Sequence, residues 1–190
     1  CMILCYPLLV LKMMFFGKKR QELVLSERSL NEPGMLGMLL AAATLLLTGL
    51  PLVVVGTTLV LALCKVIPMS LAAWAADPVV FQYTFFLFAH NLMEAMALMV
   101  ASAMYATLPL YLADGSRKLY SEKLALFHFW AHLFGGIGMG AFMGMAGLQG
   151  MLRRSLYVNG EFNVYMILAA LSGSLLLLAF LAFFYNIVMS

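Results

Sequence analysis

Apolar residues run along this chain in long unbroken stretches, and the polar positions gather between them. Strict alternation of apolar and polar residues, the mark of a half-buried strand, is absent. Five apolar stretches stand out, at roughly 1–16, 35–64, 80–111, 122–150 and 163–189. About 20 helical residues cross a ~30 Å hydrocarbon core, so the last four are long enough to span it with tilt to spare. The first looks short, as if truncated. In lipid, backbone groups are satisfied only within helices or a closed barrel. The pattern therefore predicts an all-α integral membrane bundle of about five transmembrane helices, forming one domain over 1–190. Pro33, Pro68, Pro78 and Pro109 punctuate helix ends, and Pro51, inside the second stretch, is expected to kink it. Ser121-Glu122 is a plausible cap for the fourth stretch. Asn159-Gly160 marks a turn before the fifth.

Composition narrows the class further. The chain is 65% hydrophobic and only 10% charged, which excludes an ordinary soluble domain. A lipid bilayer is the expected surrounding, and no nucleic-acid partner is expected. The few charges set an orientation. Loops 17–33 and 112–123 carry Lys18, Lys19, Arg20, Arg28, Arg117, Lys118 and Lys123, against Lys65, Arg153 and Arg154 on the other side. The positive-inside rule places the first pair of loops, and with them the C-terminus, in the cytoplasm or matrix. The membrane is then a prokaryotic cytoplasmic or mitochondrial inner membrane. Cys1, Cys5 and Cys64 form no C-x-x-C and no disulfide framework. An initial cysteine suggests a processed, split or incompletely represented chain, with a lipid-modified terminus as the alternative; no standard cleavable signal peptide is visible. The 16 methionines suit packing around a prosthetic group and serve equally as core filler.

Against this background Glu94 stands out. It is the only one of the eight acids that falls in the interior of a spanning stretch. An ionisable residue there is costly in lipid, faces a protein interior or a wet cavity, and commonly marks an ion, proton or metal site. His90 lies one helical turn before it, on the same face. His128 and His132 share a face on the next stretch. From the expected boundaries, His90 and His132 fall about 15 Å deep, near the midplane, and Glu94 and His128 about 9 Å from the inner edge. Antiparallel neighbours at those depths would pair His90 with His132 and Glu94 with His128. Three imidazoles and a carboxylate suit iron, copper or zinc, and the candidate metal ligands are His90, Glu94 and His132. Hydrogen bonding from helix to helix is the plainer alternative. Gly136, Gly140 and Gly144 form a stripe that would admit a helix or a flat macrocycle. Arg153 and Arg154 could clamp carboxylates such as haem propionates or simply snorkel to headgroups.

The segment KLYSEKLALFHFWAHLFGGIGMGAFMGMAGLQGMLRR, Lys118 to Arg154, resembles the eleventh helix of haem–copper oxidase catalytic subunits and of the related nitric oxide reductases. The shared pieces are LYS-x-KL, the HFW triplet, AGLQG and the closing arginine pair. The last stretch, with its terminal Tyr185-Asn186, resembles the twelfth helix. Upstream, the DP dipeptide before FAHN resembles the fifth-to-sixth helix region. His90 would there be a copper-ligand histidine, and His90 with Glu94 matches the spacing of the non-haem-iron site of nitric oxide reductases. By chain order the same helix should be the tenth, with two haem-ligand histidines in H-x-H; only His90 is present.

The resemblance implies a subunit or fragment of a respiratory terminal oxidase or nitric oxide reductase. Its expected cofactors are haem, copper or non-haem iron. Glu94 would act in catalysis as a proton carrier or metal ligand, Arg153 and Arg154 would bind the cofactor, and partner subunits would complete the site. The chain departs from the family in lacking an adjacent histidine pair, a second H-x-H histidine and the earlier haem-ligand helix. Either partner chains supply the missing half, or the chain is a non-catalytic scaffold that kept the helices and lost the ligands. A small transporter with Glu94 as its proton site is a third possibility, though no convincing inverted repeat supports it.

Overall fold

The computed structural model describes Leu8, Lys12 and residues 33–111, 119–152 and 160–190. Within these residues it is all helical: α1 (Pro33–Leu63), α2 (Pro78–Tyr111), α3 (Glu122–Leu148) and α4 (Asn163–Met189). All four are long and apolar enough to cross a membrane, and no strand occurs among the described residues. The expected spans at 35–64, 80–111, 122–150 and 163–189 thus correspond to α1 to α4, within two residues at each end. The expected span at 1–16 lies outside the described residues apart from Leu8 and Lys12. Most of the basic residues that set the orientation also lie outside them.

Each helix boundary has a local cause. Asp77 caps α2: its Oδ1 accepts the Val79 N–H at 2.8 Å, and Pro78 takes the first helical position, where no N–H is needed. Ser121 caps α3 as expected, its hydroxyl accepting the Leu124 N–H at 3.2 Å. α1 ends with Lys65 at φ 60°. There the Val66 N–H reaches the Leu61 carbonyl at 2.9 Å and the Lys65 N–H reaches Ala62 at 3.0 Å. That is a Schellman ending in a position usually given to glycine. α3 closes in the same way through Gly150, at φ +100°. α1 continues as helix through Pro51. Its buried Thr44 and Thr48 hydroxyls donate to the carbonyls one turn back, Leu40 at 2.8 Å and Thr44 at 2.7 Å, so neither polar group is left bare.

The helices pack in sequence order, α1 on α2, α2 on α3 and α3 on α4, with α1 also reaching α3. Consecutive helices run antiparallel. The core gathers around Phe129, which is wholly buried, with Leu40, Leu98, Tyr105 and Phe183 about it. Gly37 of α1 receives the edge of the Phe129 ring, and the Ser102 hydroxyl of α2 donates to the Gly34 carbonyl. Large apolar side chains such as Leu47, Val60, Val100, Phe134, Leu171 and Val188 point outward. So broad an apolar exterior suits lipid rather than water. Where α2 and α4 diverge over α3, an apolar groove of about 350 Å³ opens, with His128 at its floor.

Candidate functional site

Glu94 sits at the middle of α2, 16 residues after Pro78 and 17 before Tyr111. Its carboxylate Oε2 lies 2.9 Å from His132 Nε2 on α3, and the two side chains are 14% and 1% exposed. The contact is short, but the ring nitrogen is not aligned on the oxygen as a hydrogen-bond donor would be. The pairing differs from the expected one, in which Glu94 met His128 and His90 met His132.

The physical reason is the glycine stripe, which sets the register. A Cβ on Gly136 would stand 3.0 Å from the Glu94 Cγ, and a Cβ on Gly140 would stand 2.8 Å from the His90 Cδ2. Gly147 receives the Tyr83 ring. Along α2 the contacts step from Tyr83 to His90 to Glu94, and along α3 from Gly147 to Gly140 to Gly136: seven residues, then four, on both helices. Small residues let the backbones close at these points. His90 therefore faces Gly140, eight residues beyond His132, or about two helical turns. Depth counting places residues along the membrane normal; it does not know where the small residues are.

The stripe thus receives side chains of α2, except at Gly144, where a Cβ would meet nothing within 4 Å. His90 stacks on Phe86 at 5.8 Å between ring centroids, and its Nε2 is buried without a hydrogen-bond partner. Of the three candidate ligands, the structure brings Glu94 and His132 together and leaves His90 apart. Among the described residues no group of three His, Cys, Asp or Glu side chains could hold a metal ion. Arg153 and Arg154 lie outside the described residues.

Below the pair, toward the start of α3, further polar groups continue the line. The His132 ring meets His128 at 5.6 Å between centroids. His128 meets Tyr105 of α2 at 5.8 Å. The Tyr105 hydroxyl is buried without a hydrogen-bond partner, and its ring meets Phe183 of α4 at 5.4 Å between centroids. Asn186 grips Ser121 with both ends of its amide: Oδ1 accepts the Ser121 N–H at 2.9 Å and Nδ2 donates to the Ser121 carbonyl at 3.0 Å. His128, His132 and Asn186 are each no more than 1% exposed, and Tyr105 is 3% exposed. Asn91, one turn above Glu94, is also fully buried; its Nδ2 donates to the Leu87 carbonyl at 2.9 Å, and its Oδ1 has no partner. Tyr105, Asn91 and Asn186 were not singled out from the sequence as functional residues. The available signal was that each is a polar group inside an apolar span.

A buried carboxylate against an imidazole can hold one proton between them and exchange it without moving any heavy atom far. That is the chemistry the arrangement offers. Comparison with protein-family models, with curated proteins and with solved structures finds no match to this chain.

Proposed function

We propose that this chain is a subunit of a respiratory membrane complex of haem–copper type, and that its Glu94–His132 pair is a proton-transfer site. The observation that carries the proposal is the pair itself: a carboxylate and an imidazole 2.9 Å apart, mostly buried, at the centre of a helix long enough to span a membrane. Intramembrane acids and histidines so placed are the usual parts of proton relays. The respiratory setting rests on the resemblance of α3 and α4 to the last two helices of haem–copper oxidases. In this proposal the redox centres belong to partner chains, because the described residues assemble no metal site. Replacing Glu94 with Gln in the purified complex should leave assembly intact and lower turnover on the order of 100-fold, the usual scale for losing an acid–base group. Normal turnover would remove the proposal.

A second function is a scaffold, favoured by one specific observation: α2 side chains occupy the glycine stripe that a macrocycle would need. On that account Glu94 and His132 only tie α2 to α3, and E94Q turns over normally. Metal and haem analysis of the complex, with each group traced to its chain, separates the two functions.

A further inference from the structure

We propose that the groove where α2 and α4 diverge over α3 is a binding site for a lipid-soluble phenol, a flat apolar ring bearing a hydroxyl, and that His128 at its floor bonds that hydroxyl. Its depth, its walls and its floor each point to this occupant, independently of proton transfer at Glu94.

Depth comes first. His128 follows Glu122 by six residues, about 9 Å along α3. The 27 residues of α3 make about 40 Å of helix, so each end overhangs a ~30 Å core by about 5 Å. His128 then falls just inside the hydrocarbon. Met93, also on the groove, lies near the middle of α2. The groove thus runs from mid-bilayer to just below one headgroup layer, within a single leaflet. Met93 and Phe184 along it are exposed, so an occupant enters sideways from the lipid.

The walls favour a ring. Phe180, Phe183 and Phe184 line the groove from α4, and Met93 and Met96 line it from α2. Ala97 and Ala101, one turn apart on α2, leave space between them and the phenyl rings. Phenyl and thioether groups make edge and sulfur contacts with an aromatic occupant; a saturated acyl chain gains only the burial of its area. A volume of about 350 Å³ falls within the range of small-molecule sites, about 300–1,000 Å³.

The floor adds the polar requirement. His128 is 1% exposed, and what remains uncovered opens on the groove. Its Nδ1 is buried without a hydrogen-bond partner. A buried polar group left so costs free energy, and phenylalanine would pack among Tyr105, Phe129 and Phe183 without that cost. An imidazole is of use here when the occupant brings it a partner. A hydroxyl both donates and accepts, so it serves whichever ring nitrogen meets it, whereas a carbonyl serves only an N–H.

The test uses the full chain in lipid nanodiscs and a photoreactive alkylphenol, with the labelled residues read by mass spectrometry. Label should fall on the groove residues and be displaced by 2,6-diisopropylphenol. The same ring without its hydroxyl, 1,3-diisopropylbenzene, should displace it on the order of 10- to 100-fold less well, the scale of one lost buried hydrogen bond. In His128→Phe the two competitors should become equal. In Ala97→Leu, which fills the groove, labelling there should be lost. Label spread along the whole lipid-facing surface overturns the site. Equal displacement by the two competitors in the wild-type chain overturns the role of His128, whether or not His128→Phe folds. Displacement by oleic acid as effective as by the phenol overturns the ring as occupant.

Discussion

Placing alanine at Gly135 and at Gly144 separates a glycine that admits a neighbouring helix backbone from one that does not. Both residues are buried in α3. A Cβ at Gly135 would lie 2.8 Å from the Leu176 backbone nitrogen and 2.9 Å from the Ser172 carbonyl oxygen of α4. Ordinary contact begins near 3.4 Å, so α3 and α4 would have to part by about 0.6 Å, the difference between 3.4 and 2.8 Å. Neither obstacle is a side chain that can swing away; both belong to the α4 backbone. A Cβ at Gly144 would meet nothing within 4 Å. Each substitution gains the same helix propensity, about 1 kcal/mol for glycine to alanine in a helix interior. The difference between the two variants therefore isolates packing, for which forced overpacking costs about 1–3 kcal/mol. Gly144→Ala should be as stable as the parent or up to about 1 kcal/mol better, and Gly135→Ala should fall about 1–3 kcal/mol below Gly144→Ala. Reversible unfolding of the purified chain in mixed micelles, extrapolated to zero denaturant, reads both. Equal stability would refute the close α3–α4 approach at Gly135.

His132→Leu leaves the Glu94 carboxylate buried without its partner and should lower stability by about 3–5 kcal/mol in the same unfolding assay; a loss under 1 kcal/mol would mean that the pair does not form. Asn186→Leu strips the Ser121 N–H of its partner, leaves the Ser121 carbonyl only the Ala125 N–H, and should cost about 1–3 kcal/mol. It should also speed amide hydrogen exchange through the first turn of α3, and unchanged exchange there would show that the amide clamp is idle. Cys64 is exposed just beyond α1, on the side that we propose, from the distribution of basic residues, to be external. With Cys1 and Cys5 replaced by serine, a membrane-impermeant maleimide should label it in right-side-out vesicles and not in inverted ones. The reverse pattern would invert the proposed orientation.

Much of the architecture was legible in the sequence because lipid imposes one rule on every span: apolar outside, backbone bonds satisfied within. The boundaries of α1 to α4 follow from apolar run length and from Asp77-Pro78 and Ser121, whose capping chemistry is local. Glu94 was legible for the same reason, as an acid where acids are costly. Its partner was not. Counting residues from span ends placed Glu94 against His128, whereas Gly136, Gly140 and Gly147 set the register and brought His132 to it. The glycines were visible in the sequence, but which α2 side chains they would receive depends on the rotation and slide of two helices, a tertiary property. Asn186 was visible only as part of a terminal Tyr-Asn pair. Its grip on Ser121 joins residues 65 positions apart in the chain, which no local pattern encodes.

The proposal that Glu94 and His132 share a proton within the bundle is tested most directly by infrared titration of the Glu94 carboxyl in the full chain embedded in lipid. A protonated-carboxyl band should appear on acidification, vanish in E94Q, and shift in frequency and midpoint in His132→Gln. A band that never appears, or one that stays in place when His132 is replaced, would contradict it.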